Sequence, residues 1–172
     1  YRQTHEPSIN FSTENEMPYN APFQLSDLDT ALKGTKKSAP GHDKINYEMI
    51  LHLSANFKSI LLGIYNNVWR RGEYPNEWKE AIIIPVVKEG KDNQQTSSYR
   101  PISLTCCLGK VLERMVNERL SWWLEKENFL VDYQTGFRKH RSTIDQLAFV
   151  ENVIQNSFMY RNHTIAVFFD IE

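Results

Sequence analysis

The sequence contains few cysteines, and their arrangement favours buried apolar packing over a disulfide or a metal site. Cys106 and Cys107 are the only two among 172 residues, and they are adjacent. Neighbouring cysteines are poorly placed to pair with each other, and there is no CxxC pair that could hold a metal ion. The sequence therefore predicts no disulfide framework, which fits a reducing, intracellular compartment.

Long apolar runs and an excess of positive charge are also absent. No run approaches the about 20 apolar residues that a membrane-spanning helix requires, so we expect no membrane partner. The formal net charge is −1, from 20 Lys and Arg against 21 Asp and Glu. Proteins that bind nucleic acid on their own usually carry a basic excess. Any nucleic-acid surface here is therefore expected to be a local patch.

The sequence does contain enough apolar residues for a core, since 41% are hydrophobic and 12% aromatic. Helical spacing, with capping signals at Ser26, at Ser54 and at Thr143 with Gln146, predicts several helices. They cover about 27–33, 46–53, 54–71, 105–127 and 143–160. Strands are predicted at 81–84, 99–104 and 164–172. This order predicts a helix-rich α+β class.

Both ends of the sequence favour a piece of a longer protein. Residues 1–24 are polar, contain Pro7, Pro18 and Pro22, and are predicted to form an extended linker. Residues 164–172 are mostly apolar and are predicted to be a buried strand, inside which the sequence stops. Natural domains avoid the exposed edge of an unpaired apolar strand, so we expect a fragment.

Asp170 lies near the end of this predicted strand, where a core would fix the backbone while the carboxylate emerges at the rim. Phosphoryl transfer uses divalent metal ions held by carboxylates on rigid elements, so Asp170 is a candidate catalytic residue. A solvated aspartate at a strand end is the alternative. A two-metal site also needs carboxylates from a second element, and the sequence contains no Tyr/Phe-x-Asp-Asp motif.

Lys88 and Arg100 flank a polar loop between two short predicted strands. A hairpin would bring the two cations together. Arginine can bind two phosphate oxygens at once, and lysine acts as a point charge. The pair is therefore a candidate triphosphate site, with two ordinary surface cations as the alternative.

A further group of candidates lies in the loop before the last predicted helix. Its members are a glycine, an aromatic residue and three cations: Gly136, Phe137, Arg138, Lys139 and Arg141. Glycine permits close backbone approach, an aromatic ring can stack on a base, and cations can hold phosphates. A solvated basic loop is the alternative. A weaker patch combines Lys36 and Lys37 with the turn at Pro40 and Gly41, where ordinary surface positions are favoured.

The order of these segments resembles the reverse transcriptases of non-LTR (LINE-type, jockey-like) retrotransposons. The matching blocks are SAPGHDKI at 38–45, WKEAIIIP at 78–85, KEGKD at 88–92, SYRPISL at 98–104, QTGFRKHRST at 134–143 and FFDIE at 168–172. The resemblance extends over about 22–172. The family often has proline where His42 stands and glycine where Lys44 stands.

The resemblance implies part of a right-hand polymerase fold, with the fingers and palm-entry helices at 25–163 and a truncated first palm strand at 164–172. Asp170, assisted by the Ile171 carbonyl, would bind Mg²⁺ in a two-metal site that is incomplete in this chain. The implied nucleotide-binding residues are Lys88, Arg100, Ile171, Gly136 and Phe137. The implied nucleic-acid-binding residues are Pro40, Gly41, Arg138, Lys139 and Arg141.

The resemblance also implies the reaction, in which a primer 3′-hydroxyl attacks the α-phosphate of a deoxynucleoside triphosphate on an RNA template. The partners would be template RNA, a DNA primer, deoxynucleoside triphosphates and the missing palm, thumb and endonuclease regions of the parent protein. The nucleus is the expected location for the family, and this chain alone is expected to be inactive. Two alternatives stay open: a non-catalytic nucleic-acid-binding remnant and a plain helical interaction domain.

Overall fold

The computed structural model describes residues 17–35 and 38–170. The chain divides into two compact units, of which the first ends at Leu120 and the second begins at Ser121. The helices and strands are α1 (Leu25–Lys33), α2 (Tyr47–Leu51), α3 (Ala55–Arg71), α4 (Asn76–Lys79), β1 (Ala81–Val87), β2 (Tyr99–Thr105), α5 (Cys107–Lys126) and α6 (Thr143–Met159). A helix-rich chain with one small sheet among the described residues fits the predicted α+β class.

α3 begins and ends where the sequence predicts. Ser54 precedes its first residue, and Gly72 follows its last with φ of 67°, a left-handed conformation that glycine adopts without steric cost. Arg70 and Arg71 lie in the last turn, where the helix dipole favours positive charge.

The core of the first unit is built from apolar residues of α1, α2, α3 and α5, together with Phe23, which precedes α1. Its buried members are Phe23, Leu28, Ala31, Leu32, Tyr47, Ile50, Leu61, Tyr65, Cys107, Val111, Leu112 and Met115. The hydroxyl of the fully buried Tyr65 donates a hydrogen bond to the Leu108 carbonyl at 2.9 Å. Because an unpaired buried hydroxyl would cost free energy, this bond helps fix α3 against the start of α5. Phe57, Ile60 and Ile64, which the spacing places on the same face of α3, stay exposed.

Residues 17–24 belong to the predicted linker, yet they are docked on the first unit. The Phe23 backbone N–H donates to Asn66 Oδ1 at 2.7 Å. The guanidinium of Arg119 lies over the Phe23 ring, with its central carbon 4.0 Å from the ring centroid. This part of the segment is therefore not a free linker, because side chains far along the chain hold it. Residues 1–16 lie outside the described residues.

α1 starts slightly earlier than the sequence predicts. Its first residue is Leu25, so Ser26 lies inside the first turn and is not the N-terminal cap. The Asp27 carboxylate accepts a hydrogen bond from the Gln24 backbone N–H at 2.9 Å. This contact stabilises the helix start at Gln24, because an acidic side chain in the first turn satisfies an amide that has no helical partner.

α6 in the second unit is capped by Ser142. The Ser142 N–H donates to Asp145 Oδ2 at 2.6 Å, and the Asp145 N–H donates back to Ser142 Oγ at 3.4 Å. The bonds from Ser142 lower the pKa of the Asp145 carboxyl. The predicted capping pair of Thr143 with Gln146 is therefore wrong by one residue. The cap is Ser142, and the side chain that reaches back to it is the carboxylate of Asp145.

Residues 164–170 do not form the strand that the sequence predicts. A strand is stabilised by hydrogen bonds to a neighbouring strand, and no described residue pairs with this segment. Phe168 and Phe169 are therefore about nine-tenths exposed, at 90% and 89%. The residues that spacing predicts on the inner face of α6 are also exposed: Leu147, Val150, Ile154 and Phe158.

β1 and β2 form the predicted antiparallel hairpin. Ala81 pairs with Thr105 at one end, and Val87 pairs with Tyr99 at the end that leads into the loop. The two strands make a sheet of their own, so Pro85 and Pro101 lie on edge strands, where a missing N–H is tolerated. The hairpin thus carries the residues on either side of the loop in a defined register.

Lys44 adopts a left-handed conformation with φ of 59°, in a turn where its N–H donates to the Gly41 carbonyl at 3.1 Å. A side chain in this region clashes with the following carbonyl, which glycine avoids. We expect Lys44→Gly to raise the free energy of unfolding by about 0.5 to 1 kcal/mol, measured by urea denaturation with tryptophan fluorescence. Lys44→Ala is the matched control, because it removes the charge but keeps Cβ. Equal stability of the two variants would contradict the strain argument.

Candidate functional site

Lys88 and Arg100 lie on one face of the hairpin. Arg100 pairs with Val86, and the Lys88 N–H continues the ladder by donating to the Ser98 carbonyl at 2.8 Å. Side chains two residues apart on a strand share a face, and so do those of paired residues. The two cations are therefore diagonal neighbours beside the loop, as the hairpin predicts. Lys88 Nζ also donates to the Ser97 carbonyl at 2.9 Å.

The loop that joins the two strands is held by its own hydrogen bonds. The Lys91 N–H donates to the Lys88 carbonyl at 3.1 Å, and Gly90 supplies the left-handed residue of this turn with φ of 71°. The Tyr99 hydroxyl donates to the Asn93 carbonyl at 2.9 Å. The backbone next to Lys88 is thus held by local hydrogen bonds.

An exposed apolar strip leads to the two cations. The register of β1 with β2 and the alternation of side chains along each strand place this strip on the sheet face of Arg100. Its exposed members are Ile82, Ile84, Val86 and Ile102. Arg100 is exposed and Lys88 is half-buried. The face therefore combines apolar surface with two positive charges at one end, an arrangement that suits a ligand with both a ring system and an anionic group.

Gly41 is buried against the junction of β2 and α5. A Cβ added at Gly41 would lie 2.7 Å from the Cys106 nitrogen and 2.8 Å from the Thr105 carbonyl carbon. The close approach of these two backbone segments explains the glycine by packing. The structure thus gives Gly41 a packing role, and the predicted contact of Pro40 and Gly41 with nucleic acid stays a prediction.

Arg138 does not present its charge as the sequence predicts. Its guanidinium binds the Glu125 carboxylate through two hydrogen bonds of 2.8 and 2.6 Å, and also donates to the Val131 carbonyl at 2.8 Å. The Arg138 side chain is only 6% exposed. An arginine whose donors are used in this way has little capacity left for a phosphate. Sequence reasoning missed Glu125, because no local signal links residues 13 positions apart.

The neighbours of Arg138 in the loop are open to solvent. Phe137 is fully exposed, and no atom lies within 4 Å of the place where a Cβ on Gly136 would stand. Lys139 and Arg141 are also exposed. The loop therefore presents a ring, a glycine backbone and cations, as the sequence predicts for this segment.

Asp170 is exposed at the end of the described residues, and Ile171, Lys36 and Lys37 lie outside them. A carboxylate oxygen is the ligand type that Mg²⁺ prefers. Within 17–35 and 38–170, however, no group of three His, Cys, Asp or Glu side chains is arranged to hold a metal ion. One carboxylate does not make a two-metal site, so the described residues do not fit that site by themselves, and we derive no catalytic step through a metal.

Both cysteine thiols are free and buried. Burial raises the pKa of Cys106 and of Cys107, so both thiols are poor nucleophiles. Cys106 Sγ accepts a hydrogen bond from the Gly109 N–H at 3.1 Å. No helix in the described ranges is long and apolar enough to cross a membrane.

Comparison with known proteins identifies several relatives. A family model described as reverse transcriptase (RNA-dependent DNA polymerase) matches residues 86–172. This stretch contains every candidate residue except those of the weaker patch, which are Lys36, Lys37, Pro40 and Gly41. The sequence is 32% identical over 152 residues to "Probable RNA-directed DNA polymerase from transposon BS" of Drosophila melanogaster, covering 88% of this chain and 17% of that protein.

Two further relatives carry the same activity in their names. The "RNA-directed DNA polymerase from mobile element jockey" of Drosophila melanogaster is 34% identical over 136 residues, covering 79% of this chain and 15% of that protein. Its counterpart from Drosophila funebris is 32% identical over 149 residues, covering 87% of this chain and 16% of that protein. The chain thus spans less than a fifth of the length of these relatives. The jockey-like resemblance predicted from the sequence is confirmed.

Proposed function

Because the chain belongs to the reverse transcriptase (RNA-dependent DNA polymerase) family, we propose that it is part of an enzyme that copies a mobile element's template RNA into DNA. In the proposed reaction a primer 3′-hydroxyl attacks the α-phosphate of a deoxynucleoside triphosphate, and pyrophosphate leaves. The observation that carries the proposal is the antiparallel hairpin, in which Arg100 pairs with Val86 and Lys88 directly follows β1 with its N–H bonded to the Ser98 carbonyl, so that both cations lie at the loop end.

Two cations on one face suit a triphosphate for electrostatic reasons. Phosphoryl transfer depends mainly on positioning and on stabilising the negative charge that spreads over the phosphate oxygens. Arg100 would bind two oxygens through its planar fork, and Lys88 would add a point charge. The apolar strip on the same face would lie beside the sugar and base. Together they favour an incoming nucleotide over a bare phosphate.

Asp170 is the proposed metal-binding residue. Its carboxylate would supply one ligand to Mg²⁺, with the Ile171 carbonyl assisting, and further carboxylates of the complete protein would supply the others. Mg²⁺ neutralises developing charge on the phosphates when it is bound. In this assignment residues 25–163 belong to the fingers and palm-entry helices, and residues 164–172 to the first palm strand.

The exposed loop is the proposed contact with the template RNA, the DNA primer and the base of the nucleotide. Phe137 offers a stacking surface next to the open backbone of Gly136, while Lys139 and Arg141 offer charge to phosphates. The turn at Pro40 belongs to the same proposed contact set. With a net charge of −1, the chain is expected to bind nucleic acid through this local patch. The copying would take place in the nucleus.

Lys88→Ala and Arg100→Ala test the proposed nucleotide site in a protein that contains the complete domain. A hydrogen bond to a charged group contributes about 1.5 to 3 kcal/mol, so each variant is expected to raise KM for the deoxynucleoside triphosphate about 10- to 100-fold. Template–primer affinity should stay close to that of the unmutated protein. Primer extension at varied nucleotide concentration measures the first quantity, and fluorescence anisotropy measures the second.

Arg70→Ala is the matched control for these variants. Arg70 is an exposed arginine that donates to Asn67 on the same helix at 3.1 Å, so its loss changes the net charge equally. An unchanged KM for both hairpin variants would contradict the nucleotide site. If template affinity fell instead, with a strong salt dependence, the non-catalytic nucleic-acid-binding alternative would be favoured.

A further inference from the structure

The second unit contains an ion pair with unusually complete geometry. Arg138 Nε and one terminal nitrogen donate to the two oxygens of Glu125 at 2.8 and 2.6 Å. The other terminal nitrogen donates to the carbonyls of Val131 and Gln134 at 2.8 and 3.2 Å. One side chain thus ties the end of α5 to two points of the following loop. We call Glu125, Arg138 and these two carbonyls the clasp.

Phe137, which precedes Arg138 of the clasp, has an unfavourable backbone conformation. Phe137 has φ of 60°, a left-handed conformation that is rare for a bulky residue, and its ring is fully exposed. Exposing a large ring and straining its backbone both cost free energy, so the surrounding structure must enforce them. Arg138 follows Phe137 directly, and its clasp contacts fix the backbone on that side.

Electrostatics supports the clasp. The hydrogen bonds from Arg138 lower the pKa of the Glu125 carboxyl, and the same bonds raise the pKa of Arg138. Glu125 therefore stays ionised at neutral pH, and the pair keeps its charge-assisted form. A bidentate pair of this kind adds geometric precision as well as attraction.

We propose that Glu125 and Arg138 are positioning residues that hold Phe137 outward for stacking on a nucleobase. The inference rests on the proposed function, and it replaces the nucleic-acid contact that the resemblance implies for Arg138, since Arg138 acts through Phe137 and not through a phosphate. Base–aromatic stacking tolerates any base because every base has a π-face. The nucleobase belongs either to a bound nucleic-acid strand or to a nucleotide. Separate binding experiments with RNA and with dATP distinguish these two sources.

The test measures binding of the full chain to a fluorescein-labelled single-stranded RNA and, separately, to dATP. Phe137→Ala is expected to weaken binding about tenfold, to the RNA or to dATP according to which of the two supplies the stacked base. Glu125→Ala is expected to weaken the same binding equally, although it removes a negative charge. Adding Glu125→Ala to Phe137→Ala should cause no further loss. Arg138→Lys keeps the charge but loses the planar fork, so it should resemble Arg138→Ala. Glu127→Ala, a nearby exposed glutamate outside the clasp, is the matched control.

A direct phosphate contact predicts a different pattern. Glu125→Ala would then leave binding unchanged or strengthen it, and Arg138→Lys would keep most of the affinity; either result overturns the positioning role. If Phe137→Ala weakens binding and Glu125→Ala does not, the inference fails while the proposed function stands. If the unmutated chain binds neither RNA nor dATP, both fail.

Proteolysis gives a readout that needs no ligand. Lys139 and Arg141 are trypsin sites next to the clasp. Glu125→Ala and Arg138→Lys should increase the rate of cleavage at these sites several-fold, whereas Glu127→Ala should not, because only the first two release the loop. Equal cleavage rates in all variants would show that the pair does not order the loop and would overturn the inference.

Discussion

Asp170→Ala is expected to lower primer extension at least about a thousandfold in a protein that contains the complete domain. In the proposed function this residue supplies a carboxylate ligand to Mg²⁺, and loss of one ligand removes several kcal/mol of charge stabilisation from the reacting phosphates. Template–primer affinity is expected to stay within about twofold, because the loop at 136–141 and the hairpin are unchanged. Incorporation of labelled nucleotide and fluorescence anisotropy measure the two quantities.

The exposed position of Asp170 makes this experiment clean. Its side chain is not part of the core of the described residues, so alanine should leave the far-ultraviolet circular dichroism and the unfolding midpoint of this chain unchanged. Glu151→Ala is a matched control, because Glu151 is an exposed carboxylate on α6. Turnover by the Asp170 variant within about tenfold of the unmutated protein would remove Asp170 from the metal site.

The elements that the sequence predicts correctly are those with strong local signals. α3 has helical spacing between Ser54 and Gly72, and the hairpin has two apolar runs around a polar loop. Such signals lie within one turn or one loop, so they do not depend on distant residues. The strand at 164–170 has equally strong apolar character, but strand pairing requires a partner that no described residue provides.

In the candidate site, too, the sequence predicts what local signals determine and misses what distant residues determine. The placement of Lys88 and Arg100 at the loop end follows from the hairpin, which the sequence predicts. The basic loop and the resemblance both predict a nucleic-acid contact for Arg138, whereas the structure pairs it with Glu125, which belongs to a different element. A charged residue in a loop is equally compatible with an external anion and with an internal one. Only the position of the C-terminal end of α5, which carries Glu125, shows that Arg138 binds the internal carboxylate.

Gly41 shows the same dependence on distant residues. The sequence indicates a turn at Pro40 and Gly41, and the resemblance implies contact with nucleic acid. The structure places Gly41 against the backbone at Thr105 and Cys106, residues that are remote in sequence. Its φ lies outside the left-handed region, so the need for glycine comes from space and not from backbone conformation. This distinction makes the outcome of a substitution predictable.

Gly41→Ala is expected to lower the free energy of unfolding by about 3 kcal/mol. The added methyl group would lie 2.7 to 2.9 Å from three backbone atoms of Thr105 and Cys106. Backbone cannot rotate away as a flexible side chain can, so the junction of β2 and α5 must shift. Urea denaturation followed by tryptophan fluorescence measures the change.

Gly63→Ala is the matched control, and its expected change in the free energy of unfolding has the opposite sign. Gly63 lies within α3, and apart from its chain neighbours and the helix's own backbone no atom stands within 4 Å of its added Cβ. Alanine there should raise the free energy of unfolding by about 0.5 to 1 kcal/mol, because alanine loses less backbone freedom than glycine in a helix. If Gly41→Ala were as stable as the unmutated chain, the close packing would be wrong, and contact with nucleic acid would become the better explanation of this glycine.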